Sequence, residues 1–336
     1  MGDVAMCVPV LQRLRKADPT LKITVLTKAF FKPILETLPG INVIIADVNG
    51  KHKGVPGLWK LAGEIEAQKI DAIADFHNVL RSKILRFFLP CRQAGFSSLG
   101  IKCAAIDKGR AEKKALTRQN KQLEQLKTTH QRYADVLKIL GFPIDWKAKI
   151  DLKKQGLPKP IENELKRDKK WIGIAPFAAH AAKMYPLDLM EKLLQKLDKN
   201  PNFQLLLFGG GKKENLQIEQ LSKKYKNVIC VAGRISFEDE IALISHLDAM
   251  LSMDSGNGHL AAMFEVPVIT LWGATHPFAG FAPFQQPEEN QLSPNLKNYP
   301  LLPTSVYGNK EVAGYENVMR DILPEQILQR IEEVLG

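Results

Sequence analysis

Residues 251–281 read LSMDSGNGHLAAMFEVPVITLWGATHPFAGF. A short apolar run stops at a polar, glycine-bearing turn, DSGNGH. A segment of small helix-forming residues follows, then a second apolar run, VPVITLWG (266–273), which ends in another loop. Strand, turn, helix, strand and loop in that order are the building unit of a parallel sheet flanked by helices. The turn offers Asp254 or Ser255 as a helix cap, and the small residues around Gly256 let a ligand approach the backbone. The N–H groups that open the helix, with the positive end of its dipole, suit a phosphate, and Ser255 and His259 add side-chain donors. A capped turn with a structural histidine uses the same residues.

Outward from this run the alternation continues along the chain. Strands are expected at 21–27, 41–47, 71–76, 171–176, 203–209, 227–233, 248–253 and 266–273. Helical periodicity covers 4–17, 57–69, 78–89, 128–140, 186–198, 213–225, 236–246 and 325–335. The strands are nearly continuous in apolar residues, as in a parallel sheet buried on both faces. The pattern breaks at 141–170, GFPIDWKAKIDLKKQGLPKPIENELKRDKK, rich in Pro, Gly and Lys. It reads as a linker between two Rossmann-like α/β domains, residues 1–150 and 165–336. Such sheets bind ligands beyond the C-terminal ends of their strands, so a cleft between the two is the expected site. The chain opens MGDVAMCVP, a turn and helix with no strand ahead of them. A doubly wound domain begins with a strand; the expectation is that this one lies upstream of Met1, because its loss leaves two ladder edges unpaired, and the alternative is a domain that manages without it.

With 336 residues, 45% hydrophobic and 25% charged, the chain has an ordinary globular composition. No apolar run approaches the ~18–20 residues of a membrane span, and no signal peptide is visible, so a cytoplasmic location is expected. Cys7, Cys91, Cys103 and Cys230 show no CxxC spacing and read as buried free thiols. No His and acid cluster or DxD suggests a metal site. The net charge is +11, and between Ser97 and Arg132 nine basic residues face three acids. That excess suits a phosphate-rich partner: an anionic membrane, a phosphorylated substrate or nucleic acid. Nucleic acid is disfavoured, because almost no aromatic residues interleave the bases. A solvated loop without a partner fits the same composition.

Other stretches carry candidate chemistry. APFAAHAAKMYP (175–186) follows a strand and places Lys183 before a Pro-started helix; its alanines leave backbone N–H groups and His180 as the remaining donors. GGGKKEN (209–215) permits a tight turn but is neither a P-loop nor a dinucleotide fingerprint. Glu214 there reads equally as a diol-binding carboxylate or a surface acid of a first helical turn. His77, Asn78 and Arg81 stand at a strand end and helix start, where Arg81 suits bidentate contact with phosphate or carboxylate. As solvated helix residues they need no partner. Asp3 alone reads as a helix N-cap.

Taken together, DSGNGHLAA and WGATHPFAG resemble the signature of glycosyltransferase family 9, the lipopolysaccharide heptosyltransferases. GDVAMCVPVLQRLR (2–15) resembles the family's first turn and helix, with Cys7 at the usual Thr position. DFHNVLRSKIL (75–85) resembles its Asp-x-His/Gln-x-x-x-Arg-Ser stretch. The resemblance implies a GT-B fold and inverting, metal-independent transfer of a sugar from an ADP-sugar, usually ADP-heptose, onto a lipid A–core acceptor. It needs no cofactor beyond that nucleotide-sugar. It implies Asp3 as the base that takes the acceptor's proton, and Lys183, Glu214, Asp254, Ser255, Gly256 and His259 around the donor. His77, Asn78 and Arg81 are then on the acceptor side, and the protein works at the cytoplasmic face of the inner membrane, with no nucleic-acid partner. Three other readings stay open: a nucleotide-sugar binder that has lost catalysis, a nucleotide-sugar epimerase on the same fold, and a basic nucleic-acid binder.

Overall fold

A computed structural model describes residues 1–93, 100–148 and 152–336, with the backbone alone for 91–93. By its internal contacts the chain divides into two units. One comprises residue 1, 7–109 and 129–150; the other comprises 2–6, 110–128 and 151–336.

The chain starts with α1 (Gly2–Ala17), whose first turn counts with the second unit. The first unit continues through β1 (Ile23–Thr27), α2 (Lys32–Glu36), β2 (Ile41–Ile45), α3 (Gly54–Glu66), β3 (Ala72–Asp75), α4 (Leu80–Gln93) and β4 (Lys102–Ala105). Helix α5 (Arg110–Ala115) belongs to the second unit, and α6 (Thr129–Ile139) returns to the first. The second unit then runs through α7 (Lys159–Glu162), β5 (Lys170–Ala175), α8 (Leu187–Asp198), β6 (Phe203–Leu207), α9 (Lys212–Ser222) and β7 (Val228–Cys230). It ends with α10 (Phe237–Ile244), β8 (Ala249–Met253), α11 (Gly256–Ala262), β9 (Val268–Leu271), β10 (Gln291–Leu292) and α12 (Pro324–Leu335).

In the first unit the strands form two parallel pairs. β1 lies on β2 with Ile23 opposite Ile41, and β3 lies on β4 with Ala72 opposite Lys102. Helices α3 and α4 turn Leu58, Leu61, Ala62, Ile65, Leu85 and Leu89 into one apolar core, against which Leu26, Ile44 and Ile73 of the strands pack. The strands themselves stay half-exposed; every residue of β1 is only partly buried.

The second unit has a six-stranded parallel sheet ordered β10-β9-β8-β5-β6-β7. Every residue of β6, β8 and β9 is buried, as the apolar sequences FQLLL, AMLSM and VITL require of strands covered on both faces. Helix α8 buries Met190, Leu193, Leu194 and Leu197, the i, i+3, i+4, i+7 stripe of an amphipathic helix. Full burial of each such side chain is worth about 1.5–3 kcal/mol. Ser236 opens α10 with a capping box, accepting from the Asp239 N–H while Asp239 accepts from the Ser236 N–H.

All eight strands and all eight helices expected from the sequence are present, with ends shifted by a few residues. β4 and β10 were not expected: KCAA is short and poor in β-branched residues, and β10 is two residues long. One expectation is corrected. Cys103 is exposed, whereas Cys230 is buried and Cys7 partly so, and all three are free thiols. The Cys91 side chain lies outside the described residues.

The topology sets up the site. From β5 the chain moves outward to β6 and β7, then returns to the opposite side of β5 with β8 and β9. The strand order therefore reverses between β5 and β8. The loops leaving their C-terminal ends diverge there and leave a crevice.

Candidate functional site

Register brings distant loops together. Ala175 at the end of β5 lies opposite Ser252 of β8, and Met253 lies opposite Leu271 of β9. The three loops that follow these strands carry Lys183, Asp254 and Thr275. Lys183 Nζ stands 2.8 Å from Asp254 Oδ2, with both side chains nearly out of water at 13% and 10% exposure. The Thr275 hydroxyl donates to the same carboxylate oxygen at 2.9 Å. The Lys183 stem runs close over Gly308, where an added Cβ would sit 2.2 Å from Lys183 Cδ. Gly308 also has φ +75°, a left-handed conformation that glycine adopts without steric cost.

Around this pair the loop after β5 is tied down by its backbone. The Ala274 N–H donates to the Ala182 carbonyl at 2.9 Å, and Gly273 has no room for a Cβ against that oxygen. A cavity of about 320 Å³ opens beside it, lined by His180, Ala181, Ala182, Gly308, Asn309 and Glu311.

His259 lies in α11, buried, with no hydrogen-bond partner for its Nδ1. Burial holds its imidazole down at about 4, against the opposing pull of the Asp254 and Asp3 carboxylates. It is therefore neutral near pH 7, with one nitrogen a donor and the other an acceptor. The ring lies against the chain start: a Cβ on Gly2 would meet His259 Cδ2 at 3.0 Å. Asp3, Lys183, Asp254 and His259 thus share one electrostatic neighbourhood within the second unit.

Two details differ from the sequence reading. Asp3 is neither in a turn nor an N-cap: it sits in the first turn of α1, which Met1 precedes, and its side chain is exposed. Ser255 does occupy the N-cap of α11, but its hydroxyl caps no backbone N–H, and α11 has only seven residues. Gly256 opens that helix, partly buried.

Glu214 lies in the first turn of α9, after the glycine turn in which Gly211 takes φ +89°. Its Oε2 accepts from the Gly210 N–H at 3.0 Å, so the carboxylate folds back over its own loop.

In the first unit, Asp75 Oδ1 accepts from the N–H groups of His77 and Asn78, at 3.0 and 2.7 Å. Arg86 Nε lies 3.0 Å from the other oxygen of Asp75. Asn78, at φ +42°, donates to the Ile106 carbonyl at 2.9 Å, and the His77 and Arg81 side chains stay exposed. Asn78 is therefore held, while His77 and Arg81 remain presented to solvent.

The basic stretch is partly structural. Residues 97–99 lie outside the described residues. Lys121 Nζ donates to the carbonyls of Leu301 and Pro303, and the Leu126 N–H donates to the Phe278 carbonyl. Lys113, only 4% exposed, lies 3.9 Å from the centroid of the Phe281 ring. Arg132 is buried and donates to the Asp107 carbonyl. These groups serve the protein's own packing. His276, missed in the sequence, is buried there too and held down at about 4 by burial and by Lys121. Thr275 was also missed as an individual residue, although its loop, WGATHP, stood out.

Among the described residues no group of three His, Cys, Asp or Glu could hold a metal ion.

The sequence profile of glycosyltransferase family 9 (heptosyltransferase) matches residues 58–305. Lipopolysaccharide heptosyltransferase 3 of Escherichia coli K12 is 26% identical over 346 residues, covering 99% of this chain and 95% of that protein. Lipooligosaccharide heptosyltransferase 2 of Haemophilus influenzae is 25% identical, covering 100% and 97%. Among solved structures, a family 9 glycosyl transferase from Veillonella parvula superposes with TM-score 0.74 at 19% identity, covering 100% of this chain and 94% of that one. E. coli heptosyltransferase WaaC with ADP gives 0.69 at 19% identity, covering 99% and 97%. A profile match over most of the chain, with relatives aligned almost end to end, makes this chain a member of glycosyltransferase family 9, the heptosyltransferases: a glycosyltransferase of the GT-B fold.

Proposed function

We propose that the protein transfers heptose, with inversion, from ADP-heptose to a lipid A–core acceptor of the lipopolysaccharide type. Lys183, Glu214, Asp254, Ser255, Gly256 and His259 hold the donor; His77, Asn78 and Arg81 take the anionic acceptor. Asp3 accepts the proton of the attacking hydroxyl. The reaction needs no metal and takes place in the cytoplasm.

The observation that carries this reading is the Lys183–Asp254 pair at the reversal of strand order. A lysine fixed by a carboxylate at that crevice can swing a few ångströms to a departing diphosphate, where negative charge accumulates. Asp254 fixes the position of that ammonium, and Thr275 fixes Asp254. His259 is buried and neutral, so a ring N–H can donate to a ligand oxygen without adding charge. Asp3 is exposed and near His259, as a base that must meet a second substrate requires.

Calorimetry with ADP, UDP, GDP and CMP, on wild type and Glu214→Ala, tests the donor side. Selective ADP binding weakened by the substitution is the expected result. Preference for another nucleotide would change the sugar, and no binding to any of them would remove the donor assignment.

A further inference from the structure

Helices α3 and α4 of the first unit bury one face and leave the other to solvent. On α3, Leu58, Leu61, Ala62 and Ile65 face the core, while Val55 and Trp59, one turn apart, are 57% and 45% exposed. On α4, Leu85 and Leu89 face the core, while Leu80 and Phe87 are 74% and 68% exposed. Residues 80, 83 and 87 share one helix face, and Ile84 beside them packs toward the core. The two helices are joined on the outside by aromatic rings: Trp59 meets Phe88 edge-on at 5.0 Å between centroids, and Phe87 lies 6.1 Å from Phe88. Single exposed apolar side chains are ordinary, but a connected strip rimmed by polar and charged residues marks an interaction surface.

The rim is basic. Lys53 and Lys60 flank Val55 and Trp59, and Lys83 lies between Leu80 and Phe87; all three are exposed. Helix α4, LRSKILRFFLPCRQ, has no acidic residue at all. Helix α3 carries two acids: Glu64 is held by Lys51 at 3.2 Å and by His52, and Glu66 lies at its C-terminal end, seven residues after Trp59.

We infer that this α3–α4 face seats the first unit on an anionic phospholipid surface. Trp and Phe at the boundary with Lys around them are the composition that partitions into a headgroup layer, where apolar area and charge attraction add. A second copy of the chain fits less well. A twofold contact sets the same patch against itself and would bring two mainly basic rims together. The inference rests on the glycolipid acceptor proposed above for its purpose, but not for its geometry; Arg81 lies on the same helix as Leu80 and Phe87.

The test is flotation of the full chain with phosphatidylcholine vesicles, with and without phosphatidylglycerol, alongside ADP calorimetry and sedimentation. The wild type should float only with phosphatidylglycerol and be released by high salt. Leu80→Asp/Phe87→Asp and Lys83→Glu should each lower partitioning at least tenfold while ADP affinity stays unchanged, with wild-type circular dichroism and hydrogen exchange in β1 and β3 showing that the first unit is still folded. The blue shift of tryptophan fluorescence on vesicles should vanish in Trp59→Phe. Equal flotation of the wild type and the double variant would overturn the inference, as would a wild type that never floats. So would a dimer split by Leu80→Asp/Phe87→Asp in the absence of vesicle binding, which would assign the face to a second copy. Vesicle binding without affinity for any nucleotide would remove the donor proposal and leave this surface standing.

Discussion

Lys183 and Asp254, seventy-one positions apart, form an ion pair of 2.8 Å because Ala175 and Ser252 are neighbours across β5 and β8. Both side chains are largely withdrawn from water, so neither can lose its partner cheaply. Lys183→Met strands a buried carboxylate, with only the Thr275 hydroxyl left to it. Chemical denaturation should show a loss of about 3 kcal/mol, and ADP affinity should fall at least tenfold. Asp254→Asn should cost comparable stability but less affinity, since the lysine remains. Equal affinity in Lys183→Met and wild type would take the ammonium out of the donor site.

Gly308→Ala probes the same lysine from beneath. The new methyl group would collide with the Lys183 stem, and φ +75° adds roughly 1–2 kcal/mol of backbone cost. The stem is flexible and can move, so the protein should fold with a lowered Tm while ADP binding weakens several-fold. A variant with wild-type affinity would mean that the position of the lysine is immaterial.

Acid should weaken the fold through His259 and His276. Both are held at about 4 by burial, below the ordinary value of about 6.5. Above pH 6.5 neither is protonated in either state, and their effect is nil. As pH falls from 6.5 towards 4, the unfolded chain takes up protons that the folded chain refuses, so stability drops. Each histidine contributes up to about 1.4 kcal/mol per pH unit in that window. Urea unfolding at pH 7.5, 6 and 5 should show the decline, and His259→Asn should flatten it by about half.

Asp3→Asn separates binding from chemistry. If Asp3 takes the acceptor proton, kcat should fall by roughly 10²–10⁴ while ADP affinity hardly moves. A parallel loss of nucleotide affinity would instead make Asp3 a structural neighbour of His259. Added chelator should leave the wild-type rate unchanged, and restoration of a chelator-lost rate by a divalent cation would overturn metal-independent transfer.

Much of this was legible in the sequence because parallel strands buried on both faces are written as apolar runs, and amphipathic helices as stripes. FQLLL and LDLMEKLLQKLD state their environments plainly. The loops carrying Lys183, Glu214 and Asp254 were visible as breaks at strand ends. What stayed hidden depends on contacts between distant segments. Nothing in the sequence marks Lys113 as buried, because a lysine is ordinarily exposed and the Phe281 ring beneath it lies far along the chain. Thr275 is an unremarkable residue until β9 aligns with β8 and aims it at Asp254. Asp3 looked like a cap because N-caps favour that residue type, yet the helix begins one position earlier.

The half-exposed strand pairs of the first unit contrast with the sealed sheet of the second. Amide protons report such a contrast in time. Those of β1 and β3 should exchange with solvent through small, frequent openings, whereas those of β6 and β8 should wait for the whole second unit to come apart. The loops proposed to hold the nucleotide leave the strands expected to open most slowly. The residues proposed for the acceptor, His77, Asn78 and Arg81, belong to the unit expected to open more readily.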